Sequence, residues 1–170
     1  MHGRKAFKLS NKKLVILKME KQELYDIVKE VLVDFMEHYN VGEVGRMATV
    51  CSLIKQHIPD LVFVGYYLMN SDGKLEIGPY QGAILACGLI EVGKGVCGTV
   101  VSTRKTEIVP DVREYPNYIP CDEETLSEIV VPVFKGEEVY GVLDIDSEKV
   151  GHFDEVDNVN LTEIAHMIFK

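Results

Sequence analysis

The spacing of apolar residues gives the chain helix-patterned ends and a strand-patterned middle. From Met19, the positions Leu24, Ile27, Val28, Val31, Leu32, Phe35 and Met36 recur at three- and four-residue steps. They predict an amphipathic helix closed near Asn40 and Gly42. A second stripe, Met47, Val50, Cys51, Ile54 and Ile58, stops at Pro59, and Cys51 on it reads as a core thiol. Beyond Pro59 the period shortens to that of strands. LVFVGYYLM and KLEIGPY flank Ser71-Asp72-Gly73, a hairpin signal, and Pro79 and Gly82 are expected to end the pair. ILACGLIEV predicts a third strand carrying Cys87. GKGVCGTVVST predicts a glycine-rich turn into a short helix carrying Cys97, and TEIVPD a short strand. Three prolines from Pro110 to Pro120 predict an irregular loop, closed by Cys121. SEIVVPV and VYGVLDIDS then pair across Lys135-Gly136, and a last helix starts at Asp154, turning Val156, Val159 and Ile164 inward on its way to Lys170. Two helices, about six hairpin-linked strands and a final helix predict an α+β fold: an antiparallel sheet with its helices on one face.

The chemistry concentrates late in the chain. Alternation places Asp144 and Asp146 on one face of their strand, and Glu128 heads the strand before it. Val130, Pro132, Tyr140 and Val142 share the faces these acids occupy, which fits a pocket floor better than an exposed sheet edge. Cys87, Cys97 and Cys121 lie within 35 residues, each beside a glycine- or proline-rich turn, where reactive groups are displayed. Burial in the core is the competing reading for any one of them.

Composition narrows the classes. The net charge of −9 argues against a phosphate-binding surface. Residues 1–21 hold seven Lys/Arg and one Glu, so the charge is +6 there and −15 beyond. Residues 1–18 read as a basic N-terminal extension with one short strand, and 19–170 as a single domain. Leu14–Leu17 is too short for a secretory signal, and four cysteines without one read as cytoplasmic thiols. GKGVCG matches a dinucleotide-binding GxGxxG, but it lacks a long following helix and an acid at a strand end, so a sharp turn is the better reading. The cysteines lack zinc spacing and have no histidine nearby in sequence; no metal or cofactor is expected.

FVGYYL, GPYQG followed by AC, GKGVCGT, IVPDV leading to IPCD, SEIVVPV, GVLDIDS and FDEVD together resemble the free methionine-(R)-sulfoxide reductases, a GAF-domain family, over residues 43–168. The resemblance implies a GAF fold, with a six-stranded antiparallel sheet, helices packed on one face and a small-molecule pocket on the other. Residue by residue, it implies Cys121 as the catalytic cysteine, Cys87 as the resolving one and Cys97 as the family's third. Glu128, Asp144 and Asp146 match the acids that hold and polarise the substrate, and Phe63 and Tyr67 an aromatic pair lining the pocket. Phe63 stands where the family commonly has Trp, and Ala83 where it has Pro. The implied partners are free methionine-(R)-sulfoxide, thioredoxin as external reductant and a second copy of the chain in a homodimer, with no nucleic acid and no membrane. No Arg or Lys is expected at the substrate carboxylate, which should meet backbone N–H groups. The alternative is a GAF sensor that binds a small molecule or switches through the same cysteines.

Overall fold

The computed structural model describes residues 19–169; the basic extension expected at 1–18 and Lys170 fall outside the described residues, and the last helix ends at Met167, short of the expected Lys170. Helix α1 spans Lys21–His38 and α2 Glu43–His57. Strands β1 (Leu61–Met69), β2 (Lys74–Gly82) and β3 (Leu89–Glu91) follow, then helix α3 (Gly95–Thr103) and strand β4 (Glu107–Val109). Strands β5 (Ser127–Lys135) and β6 (Glu138–Ser147) lead into α4 (Glu155–Met167). The six strands form one antiparallel sheet in the order β3-β2-β1-β6-β5-β4.

The central strands are apolar on both faces because both are covered. Val64 and Tyr66 of β1, Ile129, Val131 and Val133 of β5, and Leu143 and Ile145 of β6 pack under the three long helices. Phe63, Tyr67, Val130 and Val142 point the other way, into a smaller cluster with Val96, Cys97 and Val100 of α3. The sheet therefore has one face for stability and one for the site.

Several expectations shift in the folded chain. The buried face of α1 is Leu24, Tyr25, Val28 and Leu32, while Val31 is exposed. Tyr25 turns inward because its hydroxyl donates to buried Asp157 of α4 at 2.7 Å. On α4, Val156 and Val159 are exposed and Asp157, Asn160, Leu161 and Ile164 are buried. Lys21 bonds Asp157 and Gln22 bonds Asn160, so polar residues can occupy that face without losing hydrogen bonds. Strand β2 runs through Pro79, which falls at a register irregularity opposite Gly65–Tyr67, where a missing N–H interrupts no ladder. The third strand keeps only Leu89–Glu91 of its expected length, leaving Cys87 in an irregular segment before it. The proline-rich loop contains one 3-10 turn, Val112–Glu114. Tyr140 packs with the helix-side core against Phe169, because a bulge between Val133 and Phe134 interrupts the alternation.

Candidate active site

Strand register assembles the floor. Phe63 on β1, Asp146 on β6 and Glu128 on β5 stand in one row across three strands; Gly65, Asp144 and Val130 form the next, and Tyr67, Val142 and Pro132 the third. Three carboxylates thus converge between an aromatic edge and an aliphatic one. Phe63 and Tyr67 have ring centroids 6.4 Å apart. Phe63 leans over Gly65, where an added Cβ would meet its ring at 2.4 Å.

The walls come from chain segments attached to opposite halves of the sheet. Helix α3 begins at a turn with Gly93 at φ 80° and Gly95 at φ 59°, conformations that suit glycine. At Gly98, a Cβ would lie 2.3 Å from the carbonyl oxygen of Glu91, so the helix packs directly onto backbone. The glycines of GKGVCG serve this sharp approach. Across the cavity, Asp122 fixes the chain after Cys121 by accepting from the backbone N–H groups of Glu124 and Thr125, at 2.6 and 2.8 Å, and from the Thr125 hydroxyl at 2.8 Å. The cavity between these walls includes Cys97, Tyr118, Cys121 and all three acids in its lining.

Cys87 and Cys121 are joined in a disulfide with Cα atoms 5.6 Å apart. It ties the segment before β3 to the segment before β5. Cys51 and Cys97 are free and buried. Cys51 lies in the helix-side core, where its thiol donates to the Pro79 carbonyl at 3.3 Å and burial pushes its pKa up to about 12. Cys97 is also held as a thiol, by burial and then by the charges of Asp144 and Glu128, and it donates to Asp144.

The acids are 5% (Glu128), 6% (Asp144) and 8% (Asp146) exposed, and burial is the largest cause raising each. Glu128 rises well above the usual carboxyl range, pushed further by Asp144 and Asp146 and by donating its proton to Asp144. Asp146 rises well above it too, with Asp144 and Asp122 adding to burial. Asp144 reaches about 7, because hydrogen bonds from Cys97 and Glu128 offset part of its desolvation. One oxygen each of Asp144 and Asp146 has no hydrogen-bond partner. A buried oxygen without a donor is costly, and a ligand N–H can satisfy it. Cys97, Glu128 and Asp144 offer ligand atoms within 4.8 Å of one another, close enough to grip one cation.

A family model described as GAF domain matches residues 46–168. GAF domain-containing protein A of Dictyostelium discoideum is 37% identical over 155 residues, covering 91% of this chain and 96% of its own. Free methionine-R-sulfoxide reductase of Saccharomyces cerevisiae is 39% identical over 155 residues, with 84% of this chain and 86% of its own covered. The chain belongs to the free methionine-R-sulfoxide reductases of the GAF family. The solved structure of such a reductase from Neisseria meningitidis, in complex with its substrate, matches with a TM-score of 0.79 at 34% identity, over 88% of this chain and 89% of that one.

The chain is an oxidoreductase of this family, with a disulfide-forming cysteine pair in the catalytic-type arrangement. Of the residues expected at the reductase site, Cys121, Cys97, Glu128, Asp144, Asp146, Phe63 and Tyr67 line one cavity. Cys87 reaches it only through its bond to Cys121. Among the lining residues that were not anticipated are Lys94 and Tyr118. Lys94 stands inside GKGVCG, where the glycines draw the eye. Tyr118 sits in the proline-rich loop, where no periodicity marks an inward side. Among the described residues, no helix is long and apolar enough to cross a membrane.

Proposed function

We propose that this cavity reduces free L-methionine-(R)-sulfoxide to methionine. The observation that carries the reading is a disulfide-forming cysteine on the wall of a cavity floored by three buried acids with raised pKa. Reduction of a sulfoxide needs a soft nucleophile at sulfur and a proton at oxygen, and those are the two groups brought together here.

Phe63 and Tyr67 hold the apolar end of the substrate, and Asp144, the least raised acid, ionises to receive its ammonium group. Glu128 and Asp146 stay protonated: Glu128 keeps its proton on the ionised Asp144, and Asp146 donates to the sulfoxide oxygen. The substrate carboxylate meets Lys94 and the start of α3, where the first-turn N–H groups have no helical carbonyl to bond and the helix end is positive. The Cys121 thiolate attacks the sulfoxide sulfur as the oxygen takes up a proton. Methionine then leaves, and the hydroxyl stays on Cys121 as sulfenic acid. The Cys87 thiol displaces that hydroxyl as water and forms the Cys87–Cys121 disulfide, which thioredoxin reduces by exchange. This cycle suits a homodimeric enzyme in a reducing cytoplasm.

The test is to give fully reduced protein the two epimers of free methionine sulfoxide separately and count methionine formed. Consumption of the R epimer only, matched by loss of two thiols and abolished by Cys121→Ser, is expected. Inertness towards both epimers would instead favour a sensor, and undiminished turnover by Cys121→Ser would remove it as nucleophile.

A further inference from the structure

We infer that exposed apolar residues around the disulfide form the docking surface for the external dithiol protein, and that this partner attacks Cys87 in preference to Cys121. The inference rests on the reductase reading above. Leu85, two residues before Cys87, is 85% exposed, and Leu89, two residues after it, is 59% exposed; Ile119, two before Cys121, is 37% exposed and also lines the rim of the cavity. A single exposed Leu needs no explanation. Here the exposed apolar residues bracket both halves of one bond, and the 5.6 Å Cα separation gathers them around it.

The occupant follows from the bond itself. A disulfide that must be reopened every cycle needs a dithiol brought into contact, so the partner's surface must lie on the residues that surround the sulfurs. Glu123 and Glu124 follow Cys121 directly and are exposed, on a chain of net charge −9. The patch therefore fits a small thioredoxin-type protein that is apolar around its attacking cysteine, with lysine or arginine where it meets these two acids.

Thiol exchange proceeds with the entering, central and leaving sulfurs nearly in line. Cys121 lines the substrate cavity, whereas Cys87 is not among the lining residues and sits between Leu85 and Leu89. Attack at Cys87 forms a bond from the partner's first sulfur to Cys87. The Cys87–Cys121 bond breaks, and Cys121 leaves as a thiolate into the cavity where the next sulfoxide binds. The partner's second thiolate then attacks the partner's first sulfur and releases the Cys87 thiolate. Two electrons and two protons pass from the partner dithiol, which ends as a disulfide, to Cys121 and Cys87. Attack at Cys121 would tether the partner to the cysteine that the substrate must reach.

The experiment uses Escherichia coli thioredoxin with its second active-site cysteine replaced by serine, mixed with the oxidised protein. The trapped mixed disulfide is mapped by peptide mass spectrometry and is expected on Cys87; a tether on Cys121 overturns the assignment of the attacked sulfur. In parallel, Leu85→Ser combined with Leu89→Ser is expected to raise the KM for wild-type thioredoxin about tenfold, as is Glu123→Lys combined with Glu124→Lys. Dithiothreitol-driven turnover and the first-turnover yield of methionine should stay unchanged. An unchanged thioredoxin KM in the leucine variant overturns the docking surface. So does a leucine variant whose only change is a dimer falling to monomer, since the patch then belongs to a second copy. Failure of the wild type to form methionine even with dithiothreitol would sink the reductase reading, whereas trapping and its loss in the variants report on docking without substrate.

Discussion

Asp144→Asn removes one titrating group from the acid cluster while keeping its size. Burial raises this carboxyl first and the charge of Asp122 adds to it, from 3.8 to about 7. Each pKa unit separates the two protonation states by about 1.4 kcal/mol. Across that window the folded protein holds a proton on Asp144 that the unfolded chain has lost. Stability therefore falls as pH rises from 3.8 towards about 7 and levels off above it. A shift of this size amounts to roughly 4 kcal/mol once the group is fully ionised. Asn removes that penalty, and it also relieves Glu128 and Asp146, which Asp144 pushes up. It brings a cost of its own: one Asp144 oxygen has no partner, and an amide N–H there is equally unmatched, at about 1–3 kcal/mol. That cost does not depend on pH, so comparing two pH values isolates the titration. In urea unfolding of reduced proteins, the stability of Asp144→Asn relative to wild type should improve by about 2–3 kcal/mol between about pH 5 and about pH 8.5. Activity should fall mainly through a raised KM for the sulfoxide, because an ammonium partner is lost. A stability difference identical at both pH values would refute the buried-acid account of the site.

Three further outcomes are expected. Cys87→Ser should form about one methionine per enzyme in rapid-quench counting and then stop with thioredoxin as reductant; sustained cycling would remove Cys87 from the resolving role. N-acetyl-methionine-(R)-sulfoxide lacks the cation that the acids match, so kcat/KM should drop about a hundredfold, and equal efficiency would show that the acids do not read the amino group. Gly98→Ala forces a Cβ against the Glu91 carbonyl, which lies 2.3 Å from its ideal position, so thermal unfolding should show a loss of about 2 kcal/mol. An unchanged melting temperature would mean that α3 is free to move away from that carbonyl.

Local rules were enough for much of this protein. Met47, Val50, Cys51, Ile54 and Ile58 are all buried as their spacing predicts, because a helix with one covering layer obeys its own period. Asp72-Gly73 does turn the β1–β2 hairpin, with Gly73 at φ 72°. The shared face of Asp144 and Asp146 follows from strand alternation alone. The order of the cysteine and acid motifs was legible as a family pattern before any contact was known.

Other features were settled only by contacts distant in sequence. Periodicity measures how apolar a helix face is, and it cannot foresee a polar partner on another element. Asp157 and Asn160 took the inner face of α4 from Val156 and Val159 because Lys21, Gln22 and Tyr25 arrive from α1, some 130 residues earlier, and satisfy them. Tyr140 changed faces at a bulge, which moves a side chain across a sheet without altering the apolar pattern. Cys87 left its expected strand for an irregular segment that bonds Cys121, a partner 34 residues away. Lys94 and Tyr118 joined the cavity lining from a turn and a proline-rich loop. The raised acids are likewise a tertiary property. Sequence places three carboxylates near one another, but only enclosure between α3, the sheet and the Cys121 loop removes the water that would keep them charged.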